Sequence, residues 1–164
     1  NWKKLMRFQN WYKGDTANMA IGQGDVLATP LQITRMISVF ANGGQLVRPR
    51  LIKSVENKKV KKSKSKAVRI NRNVLKNINN YLRDVVRDSE GTANIANIER
   101  LKIYGKTGTA QVYDNEPHGW FVGYVGRDKP KYAFSVFLEN GGSGFFACVV
   151  AEKILSEMLK QDLI

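Results

Sequence analysis

The segment from Trp120 to Val125 is apolar or small at every position, on both of its alternating faces. Successive side chains of a β-strand point to opposite faces of the sheet. A strand that is apolar on both faces belongs to a sheet that is covered on both sides, and helices supply such cover. The chain must therefore fold with a sheet between helical layers.

Two other segments in the second half of the chain have the same extended character. We expect strands at Leu101 to Val112, Trp120 to Val125 and Lys131 to Leu138. The last two are joined by the turn-like sequence Arg127 to Pro130. A further extended stretch runs from Gln45 to Val55, where Pro49 indicates an edge strand because proline cannot donate to a ladder.

The best-marked helix start is Thr29-Pro30-Leu31-Gln32. It combines a capping threonine, a proline at the first helical position and a glutamine three residues after the cap. Apolar residues then recur at helical spacing as far as Phe40, and Gly43-Gly44 supplies the residue that ends such a helix.

Two more helices follow from the same kind of pattern. One is expected from about Arg72 to Asp88, with one apolar face and with Gly91 ending it. The other begins at the cap Ser143 and has a wide apolar face that extends to Met158. Strands and helices together predict an α+β fold.

The remaining segments are expected to be irregular. Within residues 1–28, the glycine-rich Ile21-Gly22-Gln23-Gly24 permits tight turns and is predicted to form an ordered loop. Residues 58–66 are rich in lysine and poor in apolar residues, which predicts an extended, solvated loop. Cys148 lies in an apolar run and is expected to be a buried structural thiol.

The chain has 164 residues and a formal charge of +13, so long-range electrostatics favour anionic partners. Nucleic acid, anionic lipid and acidic wall polymers all qualify. No stretch reaches the roughly 18 apolar residues of a membrane span, and the N-terminus has no export leader. Any export signal is therefore expected to lie outside this sequence.

The most informative segment for chemistry is Tyr104 to Gln111, which contains Lys106-Thr107-Gly108-Thr109. Gly105-Lys106-Thr107 also looks like the end of a phosphate-binding loop. That motif needs a glycine five residues before Gly105, where Arg100 stands, and it needs a helix where this sequence predicts a strand.

A Lys-Thr-Gly strand fits the segment better, because such strands occur in penicillin-recognising enzymes. The lysine supplies positive charge beside an anionic substrate tail, and threonine hydroxyls can hydrogen-bond a carboxylate. A glycine without a β-carbon lets a substrate backbone approach the strand edge.

Neighbouring blocks give this motif its specificity. They are Gly14-Asp15-Thr16, Ile21 to Gly24, Leu27 to Gln32, Ala41 to Gly44, Gly91-Thr92-Ala93, Gly105 to Gln111 and His118 to Tyr124. In this order the blocks resemble the transpeptidase domain of class B penicillin-binding proteins, most closely the cell-elongation type. The resemblance covers nearly the whole chain apart from the lysine-rich loop, and Lys13 departs from the proline common before Gly14.

The resemblance implies a role for each residue of the motif. Lys106 would contact the substrate carboxylate and support proton transfer, while Thr107 and Thr109 would bind that carboxylate. Gly108 would allow close approach. The backbone N–H of Thr109 would form half of an oxyanion hole, whose donors are typically worth about 100- to 1,000-fold in rate.

The family's nucleophile lies in a Ser-x-x-Lys motif, and a Ser-x-Asn motif supplies a second serine, both N-terminal to the region matched here. Ser63-Lys64-Ser65-Lys66 satisfies the first pattern literally but lies in the lysine-rich loop. Tyr113-Asp114-Asn115 imitates the second but follows Lys106 instead of preceding it. Both are interpreted as coincidental matches, so the chain alone is expected to be inactive.

No metal and no cofactor are predicted. The sequence has no His, Cys, Asp or Glu cluster with ligand spacing, and Gly22-Gln23-Gly24 lacks the third glycine of a dinucleotide fingerprint. His118 is the only histidine and is interpreted as structural or substrate-adjacent rather than as a general base.

The family implies part of the serine β-lactamase and D,D-peptidase fold, with an antiparallel sheet packed between helices. Its parent would be anchored in the cytoplasmic membrane with this domain, residues 1–164, on the outer side. The expected partners are peptidoglycan stem peptides, β-lactams and the N-terminal half of the same domain. A sheet face left bare by that missing half would make the fragment sticky or self-associating.

Two other classes of function stay open from the sequence. A basic module for nucleic acid or an anionic wall or membrane surface would explain the charge, but no nucleic acid is expected because aromatic residues are not interleaved with the basic ones. A regulatory domain that kept the fold and lost catalysis is the other alternative.

Overall fold

A three-stranded antiparallel sheet, in the order β5-β6-β7, organises the chain. The computed structural model describes residues 2–61 and 64–164. The helices are α1 (Trp2–Arg7), α2 (Lys13–Ala20), α3 (Pro30–Ala41), α4 (Arg72–Arg87) and α5 (Gly144–Lys160). The strands are β1 (Gln45–Leu46), β2 (Ser54–Val55), β3 (Lys58–Lys59), β4 (Lys66–Ala67), β5 (Lys102–Val112), β6 (Asn115–Gly126) and β7 (Tyr132–Leu138).

Helices cover both faces of the main sheet, as the apolar pattern of β6 predicts. On one face Phe121 and Val125 pack with Ala147, Cys148 and Ala151 of α5. The opposite face is covered by α3 and α4, where Ile37 of α3 and Leu82 of α4 pack with Tyr124 of β6. The α+β architecture expected from the sequence is therefore present.

The α5 face holds the thiol expected to be structural. Cys148 is fully buried, and this burial raises the pKa of its thiol to about 12. A thiol with so high a pKa is almost entirely protonated near neutral pH and is a poor nucleophile.

The bounds of β6 differ most from the prediction. The strand begins at Asn115 rather than Trp120, because backbone pairing with β5 extends beyond its apolar part. A register shift between Ala110 and Val112 accommodates Pro117, which has no N–H for the ladder. The tight turn before β6 places Asp114 at a positive φ of 55°.

Helix α3 forms as its capping sequence predicts. The Thr29 hydroxyl accepts a hydrogen bond from the Gln32 N–H, and the Gln32 carboxamide accepts one from the Thr29 N–H. Gly43 and Gly44 follow the helix at positive φ.

Helix α4 has the expected bounds, but Gly91 does not end it. The helix runs from Arg72 to Arg87 with Asp88 as its cap. Gly91 is instead needed for close packing, since a β-carbon there would lie 2.3 Å from the carbonyl oxygen of Val85.

One prediction for the first half of the chain is confirmed and another is wrong. The glycine-rich segment 21–24 forms a turn after α2, as expected, although the helices α1 and α2 before it were not predicted. An ion pair joins these short helices, with Lys3 Nζ 2.7 Å from Asp15 Oδ1 and 3.2 Å from Asp25 Oδ2. The stretch from Gln45 to Val55 is not one strand, because β1 and β2 pair with different partners and Pro49 lies in neither.

The lysine-rich segment contains short strands rather than a continuous loop. β3 pairs with β2 across a turn in which Glu56 and Asn57 both have positive φ, the geometry of a tight hairpin, and β4 pairs with β1. Residues 58–61 and 64–66 are exposed. The Ser63-Lys64-Ser65-Lys66 match cannot be located, since Lys62 and Ser63 lie outside the described residues.

The expected bare sheet face is not observed in the described part of the chain, because α3 and α5 cover both faces. Large exposed apolar side chains are concentrated instead in the first 31 residues. They include Trp2, Leu5, Met6, Phe8, Trp11, Tyr12, Met19, Ile21, Val26, Leu27 and Leu31. None of the helices built from the described residues has both the length and the apolar content to cross a bilayer.

Candidate functional site at the free edge of β5

Strand β5 is an edge strand, and its odd-numbered residues turn their backbone groups away from β6. The carbonyls of Ile103 and Thr109 accept hydrogen bonds from side chains outside β5 and β6. The carbonyl of Thr107 accepts one from the ammonium group of its neighbour Lys106. In an antiparallel strand the N–H and C=O of one residue point to the same side. The N–H groups of Thr107 and Thr109 are therefore presented at the free edge.

The predicted residues Lys106 and Thr107 lie together at this edge. Lys106 is exposed, and its Nζ lies 3.0 Å from the carbonyl oxygen and 3.4 Å from the hydroxyl of Thr107. The Thr107 hydroxyl is also 2.9 Å from that of Thr92. An ammonium group and two hydroxyls thus converge where an anion can bind.

Thr109 is held by the start of α5. Its hydroxyl oxygen accepts a hydrogen bond of 3.2 Å from the Gly144 N–H. This contact uses the oxygen as an acceptor and leaves the hydroxyl hydrogen to donate to a carboxylate. The side chain is therefore oriented before any substrate arrives.

Two glycines permit that approach of α5 to β5 and β6. A β-carbon on Gly119, which pairs with Thr109, would lie 2.5 Å from the Ser143 carbonyl oxygen. One on Gly144 would lie 2.8 Å from the carbonyl oxygen of Gly108. Gly119 lies in the quoted sequence block His118 to Tyr124. The sequence alone did not indicate that α5 packs against it.

Gly108 lies on β5 opposite Trp120, between the two threonines. A β-carbon there would meet only the Trp120 Cβ, at 3.4 Å, which is an ordinary contact. The fold itself therefore tolerates a side chain at this position. The room that glycine leaves is free for a ligand.

Sequence reasoning missed Gln23 and the contact made by Thr92. The Gln23 carboxamide donates to the Thr109 carbonyl at 3.1 Å and accepts from the Gln111 N–H at 3.3 Å. Both glutamine and threonine occur within quoted sequence blocks, but only the fold brings them to β5.

His118 has a structural contact in this fold. Its Nδ1 accepts a hydrogen bond from the Asn140 N–H at 2.9 Å, and its ring meets Phe137 edge-on. The Tyr113-Asp114-Asn115 sequence, which imitates the second serine motif, spans the hairpin turn after β5, and its Asn115 begins β6.

The edge is an open surface rather than a deep pocket. Two hollows lie elsewhere, one lined by Trp2, Lys3, Trp11, Met19 and Val26 and the other by residues of α3, α4 and the sheet, and residues 106–109 line neither. Across residues 2–61 and 64–164, no cluster of three or more His, Cys, Asp or Glu could hold a metal. The chemistry available at the edge is anion binding and backbone pairing.

Comparison with known proteins decides the family. Residues 5–160 match the Penicillin binding protein transpeptidase domain. The chain belongs to this family. Membership accounts for the ordered sequence blocks that a basic binding module leaves unexplained.

Curated relatives within the family are peptidoglycan D,D-transpeptidases named MrdA. The chain is 30% identical to the one from Haemophilus influenzae over 99% of its own length and 28% of the relative. It is 33% identical to the one from Acinetobacter baumannii over 96% of its own length and 26% of the relative. The chain therefore spans little more than a quarter of these relatives.

Solved structures of penicillin-binding protein 2 have the same fold. The Pseudomonas aeruginosa protein, in complex with WCK 5153, is 33% identical with a TM-score of 0.82, over 96% of this chain and 35% of that one. The Helicobacter pylori protein, in complex with MreC, is 29% identical with a TM-score of 0.79, over 99% of this chain and 30% of that one. The resemblance to the cell-elongation type is thus confirmed.

Proposed function

We propose that this chain is the substrate-binding, C-terminal part of the transpeptidase domain of a peptidoglycan D,D-transpeptidase. The observation that supports this most is the exposed edge of β5, where Lys106, Thr107 and Thr109 surround a free stretch of backbone. An extended peptide pairs there as an added strand, and its terminal carboxylate meets the ammonium and hydroxyl groups.

Each motif residue then has a role that follows from its position. Lys106 and the hydroxyls of Thr107 and Thr109 hold the carboxylate of a stem peptide that ends in D-Ala-D-Ala. Gly108 leaves room for the substrate backbone. The Thr109 N–H supplies one donor to the oxyanion that forms when a serine attacks the substrate carbonyl.

The attacking serine is expected in a segment that precedes this sequence in a longer protein. In that protein the serine attacks the D-Ala-D-Ala peptide bond and forms an acyl-enzyme as the terminal D-Ala leaves. An amine of a neighbouring stem peptide then takes the acyl group and frees the serine. β-Lactams imitate D-Ala-D-Ala and acylate the same serine. We place that protein in the cytoplasmic membrane by an anchor elsewhere in its sequence, with residues 1–164 on the outer side.

Labelling with a fluorescent penicillin tests this function. The purified 164-residue chain is expected to remain unlabelled, and the longer protein to be labelled. Changing Lys106→Ala in the longer protein should lower its labelling rate at least about 100-fold, as for loss of one transition-state donor.

Lys102→Ala is the matched control, because Lys102 is an exposed lysine at the other end of β5. Its labelling rate should stay within about twofold of the unmodified protein. A covalent penicillin adduct on the 164-residue chain, or equal rates for the two lysine variants, would refute the proposal.

A further inference from the structure

The free edge of β5 is already occupied at its far end by a side chain. Gln23 is 86 residues from Thr109 in sequence, yet its carboxamide forms hydrogen bonds with the Thr109 carbonyl and the Gln111 N–H. A carboxamide carries the same donor and acceptor as a peptide group. Its N–H donates to the carbonyl of one residue while its oxygen accepts from the N–H two residues further on, which is the pattern of a parallel strand partner.

The orientation of the Gln23 amide follows from its partners. The Thr109 carbonyl can only accept and the Gln111 N–H can only donate, so nitrogen must face Thr109 and oxygen must face Gln111. Both bonds are made in this orientation and neither would be made in the flipped one. The side chain therefore matches the edge as a peptide does.

Local structure aims Gln23 at the edge. It lies between Gly22 and Gly24, whose positive φ values of 76° and 95° form a tight turn after α2. The Gln23 N–H also donates to the Asn18 carbonyl at 2.9 Å. The chain just after Gly24 is also fixed, because the Asp25 carboxylate forms an ion pair with the buried Lys3.

At the other end of β5, Arg83 closes the edge in the same manner. Its guanidinium donates to the Ile103 carbonyl at 3.0 Å. The stretch of edge between these two side chains runs from Gly105 to the N–H of Thr109. That stretch is long enough for the last residues of a peptide and no more.

We infer that Gln23 is a specificity-determining residue of this edge, which competes with an incoming peptide for the Thr109 carbonyl. The inference rests on the proposed function. A ligand that pairs only as far as the Thr109 N–H binds without moving Gln23. A peptide that continues toward Gln111 must first break both Gln23 hydrogen bonds.

The test compares two probes on the complete 164-residue chain by NMR titration. The short probe is propanoyl-D-Ala, which keeps the terminal carboxylate and the carbonyl that faces the Thr109 N–H but has no N–H for the Thr109 carbonyl. The long probe is an acetylated pentapeptide that ends in D-Ala-D-Ala. In Gln23→Ala the long probe should bind about fivefold more tightly than in the unmodified chain, the value of roughly one net hydrogen bond. Affinity for the short probe should change less than twofold.

Further variants separate competition from folding. Gln23→Glu keeps the size of glutamine and the acceptor for the Gln111 N–H but loses the donor to Thr109. The long probe should therefore bind it more tightly than the unmodified chain but less tightly than Gln23→Ala. Gln161→Ala, an exposed glutamine at the end of α5, is the control and should change neither affinity. In Gln23→Ala without ligand, the Gln111 amide should exchange with deuterium at least about tenfold faster.

The outcomes distinguish the inference from the function on which it rests. If both probes bind but Gln23→Ala gives no gain for the long one, or weakens it, Gln23 does not compete and the inference is wrong. If neither probe binds any variant, the proposed function fails at this edge and the inference falls with it. Unchanged exchange of Gln111 would also contradict the inference.

Discussion

At the scale of single residues, the two glycines of β5 have different tasks. A β-carbon on Gly105 would lie 2.6 Å from Cε2 of the buried Phe121, whereas one on Gly108 meets nothing closer than 3.4 Å. Gly105→Ala should therefore lower the free energy of unfolding by about 1–3 kcal/mol, as overpacked cores do. Gly108→Ala should cost less than about 1 kcal/mol but should weaken ligand binding, and urea denaturation of both variants gives the comparison.

Equal losses of stability in the two glycine variants would contradict the assignment of Gly105 to packing and Gly108 to ligand access.

The ion pair between Lys3 and Asp15 predicts a dependence on acid pH. Hydrogen bonds from Lys3 and from the Tyr12 N–H hold the pKa of the Asp15 carboxyl below its usual value. A lowered pKa stabilises the fold above the unfolded-state pKa of about 4, and the effect is lost as the pH falls through the folded-state pKa. Asp15→Asn should thus be less stable than the unmodified chain at pH 6, with a difference that shrinks toward pH 3.

The control for this pH dependence is the same substitution in a Lys3→Met background. Without the ammonium group the largest cause of the shift is gone, so the difference should vary much less with pH. A difference that persists unchanged to pH 3 would show that the pair does not stabilise the fold through ionisation.

The sequence predicted the motif residues at this scale but not their neighbours. Residues 106–109 carry their own signal, because Lys-Thr-Gly is contiguous and its chemistry follows from residue type. Gln23 reaches β5 from 86 residues away. Such a contact depends on where the fold puts the turn after α2, and no local pattern encodes it.

At the scale of elements, capping hydrogen bonds decide how much each helix start contributes to the stability of the fold. The Thr29 hydroxyl accepts the Gln32 N–H at the start of α3, whereas the Ser143 side chain makes no capping hydrogen bond at the start of α5. Thr29→Ala should lower the free energy of unfolding by about 1 kcal/mol. Ser143→Ala, the matched control, should cost only a few tenths of that, as thermal or urea unfolding will show.

A larger loss in Ser143→Ala than in Thr29→Ala would mean that capping geometry does not set the stability of these two helix starts.

Elements with strong periodicity or capping sequences were predictable, and those held by pairing or ion pairs were not. α3 begins where its sequence indicates, and α5 lies where its apolar face predicts. α1 and α2 were missed because α1 is only 6 residues long and the 8-residue α2 has no buried residue, so no apolar stripe marks them. The polar first third of β6 was missed because its stability comes from the ladder with β5.

At the scale of the whole molecule, the apolar surface near the N-terminus predicts association. Leu5 is 72% exposed and Phe8 is 92% exposed, and several other large apolar side chains of the first 31 residues are exposed as well. Exposed apolar surface of this extent is typical of an interface. We expect a partner surface to cover it in a longer protein, and the isolated chain to bind a hydrophobic dye and to self-associate in light scattering.

Changing Leu5 and Phe8 to serine should reduce both signals while leaving the circular dichroism spectrum unchanged. A clean monomer without dye binding in the unmodified chain would contradict the idea that this surface is an interface.

The central claim is that residues 106–109 form an open strand edge that receives the terminal carboxylate of a peptide. The most direct measurement is an NMR titration of the 164-residue chain with N-acetyl-D-Ala-D-Ala and with its C-terminal amide, which lacks the negative charge. We predict shifts of the backbone amides of Thr107 and Thr109 with the acid and much smaller shifts with the amide. Equal shifts with both ligands, or shifts that leave residues 106–109 unaffected, would contradict the account.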